Sequence, residues 1–268
     1  MGQGPGPVVH TSFPNHYDYF PTIVKNPESN NNDECQSFFL PMKRPSTITD
    51  VNENDLVLGK LLPIVDSIEW IQRLCQMENN NQKVRDVQLR IKGMSDSGEI
   101  LKLVKEAQDL CSKAGIRLWI NDYWEIALEA KCFGVHVGQE DLATCVNSGG
   151  CDKLKQAGMA LGISTHSYAE LAIAMEYRPS YISVGPIYGT TSKDVKFAPQ
   201  GLSTLQHWRT LIGPDIPLVS IGGISNPQLA KENKDSGADC IAVIGAITQH
   251  DNPTDIAHAI DELYQAME

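Results

Sequence analysis

From residue 58 onward, short apolar runs alternate with amphipathic stretches, and few folds can absorb that rhythm. The eight runs are Leu58–Val65, Val84–Ile91, Ile116–Ile120, Phe133–Val137, Met159–Ser164, Tyr181–Val184, Leu218–Ile221 and Cys240–Ile244. They are continuous rather than alternating and rich in β-branched residues, as strands covered on both faces are. Between them the period becomes helical. The clearest case, Gly98–Ala114, puts Ile100, Leu103, Val104, Ala107, Leu110 and Cys111 on one face, and Gly115 follows as a stop. Helices are also expected over Ser67–Gln76, Tyr123–Ala130, Ser167–Glu176, Leu202–Ile212, Pro227–Ser236 and Pro253–Met267, with a short, weakly patterned one near Asp152–Ala157. Eight strands and eight helices over about 210 residues predict an α/β chain, a (β/α)8 TIM barrel of one domain. A doubly wound open sheet would carry a glycine-rich phosphate loop after its first strand, and Val65-Asp66-Ser67 is no such loop.

Residues 1–57 have no sustained period, and Asn30-Asn31-Asn32 is typical of their composition. They read as an irregular N-terminal extension with little core of its own, although Phe38-Phe39-Leu40 is too apolar for a purely solvated tail. The barrel proper is expected over residues 58–268. A net charge of −11 argues against nucleic acid or an anionic membrane as a general partner. No apolar run nears the length of about 18 residues that a span needs. The start lacks a basic region followed by an apolar one, and the seven cysteines include no Cys-x-x-Cys, so a reducing cytoplasm is expected. A homo-oligomer is left open.

Function should reside where the strands end, because barrels of this kind place their chemistry at the C-terminal mouth. Gln88, Arg90 and Lys92 alternate along the second strand, so they are expected to share a face suited to an anion. Asn121-Asp122 ends the third strand and Asp141 follows the fourth, so two carboxylates could share a hard cation such as Mg2+. Ser164 and His166 end the fifth. Thr190, Thr191, Ser192 and Lys193 lie in a long loop after the sixth, a natural lid. Gly222, Gly223 and Gly245 follow the last two strands, where glycine lets backbone N–H groups approach a phosphate. These residues together suggest two phosphate sites, one cationic and metal-assisted, the other made of backbone. Taken singly they have plainer readings: Asp122 or Asp141 as a helix cap, a strand-end lysine as a solvated charge, His136 as a hydrogen-bonded core residue, and Trp70, Trp119, Trp124 and Trp208 as packing residues. His166 reads as a group that orients its neighbours, with acid–base chemistry as the alternative.

At these positions the chain resembles the thiamine-phosphate synthase family. The resemblance is carried by Gln88-Leu-Arg-Ile-Lys92, Ile120-Asn-Asp-Tyr-Trp124, Gly134-Val-His-Val-Gly-Gln-Glu-Asp141, Leu161-Gly-Ile-Ser-Thr-His166, Ala198-Pro-Gln-Gly201, Ile221-Gly-Gly-Ile224 and Ala242-Val-Ile-Gly-Ala-Ile-Thr248, in order along residues 58–268. It implies that Gln88, Arg90, Lys92, Asn121, Ser164 and Lys193 hold a pyrimidine diphosphate, with Lys193, Ser164 and Arg90 catalytic. It implies a thiazole phosphate site at Thr190, Thr191, Ser192, Gly223, Ile244 and Gly245, and magnesium at Asp122 and Asp141. The implied reaction is an alkyl transfer through a dissociated pyrimidine cation, giving thiamine phosphate and pyrophosphate. The family more often has Thr at 192 and Ser at 245, and Thr144–Asp152 is a longer stretch than usual that could alter the mouth. The leader resembles the linker of fused pyrimidine-kinase/synthase proteins. Two other readings are a thiazole tautomerase-like barrel using His166 and a non-catalytic thiamine-phosphate binding protein.

Overall fold

The computed structural model describes residues 39–45, 56–78, 83–190 and 198–268. Eight parallel strands close on themselves in sequence order. They are β1 (Leu61–Val65), β2 (Asp86–Leu89), β3 (Arg117–Asn121), β4 (Gly134–Val137), β5 (Ala160–Thr165), β6 (Tyr181–Val184), β7 (Leu218–Ile221) and β8 (Cys240–Val243). Each strand pairs with the next, and β8 pairs with β1 through Leu62 opposite Ala242. The expected TIM barrel is therefore the fold, and every expected strand has its counterpart within three residues at either end.

The helices surround this cylinder: α1 (Ile68–Glu78), α2 (Ser97–Ala114), α3 (Trp124–Glu129), α4 (Gln139–Asn147), α5 (Gly150–Gln156), α6 (Tyr168–Glu176), α7 (Gly201–Leu211), α8 (Pro227–Asp235), α9 (Gly245–Thr248) and α10 (Pro253–Ala266). Local chemistry sets their ends. Asp96 caps α2 by accepting from Glu99 N–H at 2.9 Å, and Gly115 closes it in the left-handed conformation at φ 72°. Asn226 and Asn252 cap α8 and α10, each just before a proline at the first helical position. Ile100, Val104, Ala107 and Cys111 are the buried face of α2, as their spacing requires.

One feature differs from the sequence reading. The fourth connection holds two helices rather than one, broken where Gly149 turns left-handed at φ 70°. In α4 only Leu142 and Cys145 are buried, too few to show a period. The stretch Thr144–Asp152 thus belongs to the end of α4 and the start of α5, and none of it lines the cavity at the mouth.

The apolar residues of the extension do find a place. Its described residues dock under the barrel. Leu40 N–H donates to Met159 O at 3.0 Å, Ser180 Oγ donates to Leu40 O at 2.6 Å, and Lys43 bridges to Val57. Arg44 Nε meets Asp239 Oδ1 at 2.7 Å, while Asp239 Oδ2 accepts from Arg209 and from Leu218 N–H. Met42 and Leu58 pack with Leu62, Trp119, Tyr181, Val219 and Cys240 in the barrel interior. Gly162 faces Tyr181 in that interior, and a Cβ on it would sit 2.2 Å from the phenol ring. A chain that starts at residue 38 keeps the whole docked segment. Starting it at Leu58 deletes the buried Phe39 and Met42 and should cost about 2–3 kcal/mol, the scale of burying such side chains less the cost of ordering them. Thermal melts of the two truncations compare them directly; equal midpoints would show that the docked segment contributes nothing.

Candidate active site

A cavity of about 670 Å³ opens at the C-terminal ends of the strands. Its lining brings together Gln88, Arg90, Asn121, Asp122, Asp141, Ser164, Thr190, Gly223, Ile244 and Gly245. Thr191, Ser192 and Lys193 lie outside the described residues. Lys92 is not part of the wall: β2 ends at Leu89, Arg90 N–H turns to Val65 O at 2.8 Å, and Lys92 is exposed beyond it. The alternation that would put Lys92 beside Gln88 holds only while the strand continues.

The side that carries charged side chains is built on β2, β3 and β4. Gln88 is buried, and its Nε2 donates to Asn121 Oδ1 at 2.7 Å; Asn121 Nδ2 in turn donates to Asp122 Oδ2. This sequence of amides fixes which way each one faces. Asp122 has left-handed backbone at φ 68°, a conformation that Asp tolerates better than most residues. Its N–H donates to His136 O at 2.9 Å, and its carbonyl accepts from Trp124 N–H at 2.7 Å. A strained backbone held from both sides at a cavity rim is the kind found at ligand sites. Neither aspartate holds an N-cap position, since Tyr123 begins α3 and Gly138 begins α4. Asp141 lies in the first turn of α4, where a negative charge is favoured.

Could these residues hold a metal? Among the described residues no three His, Cys, Asp or Glu side chains converge on one point. Asp122 and Asp141 do line the same wall, and both also border the neighbouring hollow beside α2 and α3. Two carboxylates with no soft or nitrogen donor in the pair suit a hard cation that completes its octahedron with water and substrate oxygens, as magnesium does.

The opposite wall is backbone. Gly222 and Gly223 have φ of 102° and 71°, and a Cβ on Gly223 would lie 2.6 Å from Gly189 O. Only glycine allows the β6 loop to lie this close, and that loop is stapled there by Ile187 N–H to Ile221 O and Tyr188 N–H to Gly222 O. Its returning end is held as well: Gln200 N–H donates to Pro186 O and Gln200 Nε2 to Gly185 O, both at 2.8 Å. Gly245 begins α9, a short helix absent from the sequence reading, and Ile244, Gly245 and Ala246 line the cavity. A Cβ on Gly245 would meet nothing within 4 Å, so a serine fits there without rearrangement.

His166 lines the cavity with Nδ1 2.9 Å from Glu170 Oε2, an orienting contact. His136 is the hydrogen-bonded interior residue that its strand position suggests, yet it also faces the cavity, as do Tyr181 and Ser183. These three were not singled out as site residues from sequence. A serine inside the buried run Tyr181–Val184 was the one available signal.

The chain is similar to known proteins in sequence and in fold. A family model described as thiamine monophosphate synthase matches residues 61–247. A thiamine-phosphate synthase of Cronobacter sakazakii is 42% identical over 189 residues, 70% of this chain and 84% of that protein. One from Klebsiella pneumoniae is 44% identical over 190 residues, again 70% and 84%. The solved thiamine phosphate pyrophosphorylase of Pyrococcus furiosus superposes with a TM-score of 0.62 at 25% identity, covering 78% of this chain and 95% of its own.

Proposed function

The chain belongs to the thiamine monophosphate synthase family, and from that premise we propose that it joins a hydroxymethylpyrimidine diphosphate to a thiazole ethyl phosphate, releasing pyrophosphate and forming thiamine phosphate. The observation that carries this reading is one cavity with two unlike walls, one of charged and amide side chains and one of glycine backbone. Arg90, Asn121, Asp122 and Asp141 line one side, and the glycine backbone of Gly222, Gly223 and Gly245 lines the other. With a divalent cation on its two carboxylates the first wall would suit a diphosphate, and the second would suit a monophosphate. In the reaction, the bond between the pyrimidine methylene carbon and the diphosphate oxygen breaks, and its electron pair leaves with pyrophosphate. The thiazole nitrogen then supplies the pair for a new carbon–nitrogen bond.

Each described residue has work in that scheme. Arg90 and the Ser164 hydroxyl would stabilise charge on the departing diphosphate. Gln88 and Asn121, locked to one another, would present fixed amide groups to the pyrimidine end. Asp122 and Asp141 would hold a magnesium ion, whose charge offsets that developing on the leaving group. Lys193, with Thr190, Thr191 and Ser192, would close over both phosphates from the loop that Gln200 anchors. Enclosure would keep water from trapping the pyrimidine cation. Arg90, Asn121, Asp122 and Asp141 on one wall support this reading over a tautomerase, which needs no diphosphate site, and turnover separates it from a binding protein.

The test is incubation of the purified protein with both substrates and magnesium, with thiamine phosphate and pyrophosphate as the expected products. Asp122→Asn and Asp141→Asn sharpen it. Asparagine tolerates the left-handed backbone at 122, and at 141 it gives up only a favourable helix-end charge, so stability should stay within about 1 kcal/mol. The magnesium needed for half-maximal rate should rise in both. An unchanged magnesium dependence in both variants would remove these carboxylates from the metal.

A further inference from the structure

Tyr181 begins β6 with no exposure to solvent. Its ring packs edge-on against Trp119, with centroids 5.0 Å apart. The hydroxyl lies 2.7 Å from His136 Nδ1, and His136 Nε2 lies 2.8 Å from Ser164 Oγ. Ser164 Oγ is 3.3 Å from Ser183 Oγ. The barrel register holds this line in place, with His136 opposite Gly162 on β5 and Ser164 opposite Ser183 on β6. A hydrogen-bonded chain therefore runs from a phenol deep in the barrel to a hydroxyl on the cavity wall.

The chain has a direction. A phenol O–H with no access to water must donate to a protein acceptor or carry a desolvation penalty. Among the described residues the partner of the Tyr181 hydroxyl is His136 Nδ1. Burial, with smaller contributions from Cys240 and Asp86, pushes this phenol well above its ordinary pKa, so it remains a donor. Nδ1 is then the acceptor, and the ring proton of neutral His136 sits on Nε2. Nε2–H donates to Ser164 Oγ, which turns the serine's own proton away from the histidine, toward Ser183 or into the cavity. With the opposite tautomer Ser164 would donate to His136 and present lone pairs to any anion in front of it.

We infer that Tyr181 and His136 are positioning residues that hold Ser164 as a hydrogen-bond donor toward the departing diphosphate. The inference rests on the reaction proposed above, and it requires no proton transfer. The oxygen of the leaving group gains a donor whose orientation is set before the substrate arrives, and the setting originates two side chains away. Phenylalanine would fill the same space at 181, so packing alone does not account for the hydroxyl.

The experiment uses the full chain. Nitrogen-15 NMR of the histidine rings in the wild type should show His136 protonated on Nε2 and bare on Nδ1. Tyr181→Phe keeps the ring and should raise the other tautomer. It should lower kcat by roughly tenfold, the scale of one hydrogen bond to a charged group, with KM for the pyrimidine diphosphate changed far less. Because both changes act through one hydroxyl, Tyr181→Phe combined with Ser164→Ala should be no slower than Ser164→Ala alone. A wild-type protein with the proton on Nδ1 would overturn the relay, and it needs no variant to fold. So would normal turnover in Tyr181→Phe, or losses that multiply in the double variant. If the wild type forms no thiamine phosphate at all, the reaction itself is wrong and the relay's purpose falls with it.

Discussion

Asp86→Ala is expected to cost the fold about 3–5 kcal/mol, the range for breaking a buried ion pair by removing one partner. Asp86 is fully buried at the start of β2. One carboxylate oxygen accepts from Gly59 N–H at 2.8 Å and from Arg117 Nη2 at 2.5 Å; the other accepts from Trp119 Nε1 at 2.9 Å. Alanine leaves a guanidinium, an indole N–H and a backbone N–H with no acceptor there. Asparagine does not repair the loss, because its NH2 group would face donors. For a chain of this size the midpoint should fall on the order of 10 °C. The network lies at the end of the barrel opposite the mouth, so turnover per folded molecule should persist at low temperature. Urea melts and rates on one preparation test both parts. A loss below about 1 kcal/mol would show that the neighbours relax to satisfy themselves.

Lys193→Ala should lower kcat by about 10²–10³ with the melting midpoint unchanged, if the side chain acts as a transition-state donor. The expectation comes from the charge balance of the cavity. Among the described residues Arg90 is the only Lys or Arg that lines it, against the two carboxylates Asp122 and Asp141. A departing diphosphate brings further negative charge, and one arginine with one magnesium ion would leave it poorly compensated. Lys193 lies outside the described residues, on the sequence between Thr190, which lines the cavity, and Gln200, which is tied to Gly185 and Pro186. Single-turnover rates measured at saturating substrate decide the matter, because they exclude weakened binding. Near-wild-type rates would assign the leaving-group charge to Arg90 and magnesium alone.

What could be read from sequence follows the range of the interactions involved. The strands were legible because each needs only its own buried run, as Leu118, Trp119 and Ile120 show. Asp122 and Asp141 could be placed at the mouth because strand ends are local features. The left-handed backbone of Asp122 could not, since it depends on contacts with His136 on β4 and Trp124 on α3. Lys92 shows where alternation stops carrying information: β2 ends at Leu89, and Lys92 is exposed beyond it. The line from Tyr181 through His136 to Ser164 joins three strands, and no window of sequence contains it. Phe39 and Met42 announced their burial only by being apolar in a polar stretch.

The docked segment beneath the barrel has a kinetic meaning. Met42 and Leu58, packed under Leu62, Trp119 and Tyr181, shut one end of the tube. In the reaction proposed above, two substrates and two products would therefore share a single doorway. Whichever ring came to lie against Leu62, Val219 and Ala242 would then have to arrive first. The molecule nearer the rim can enter early only by standing in the way, so a large excess of it slows the traffic it is meant to complete.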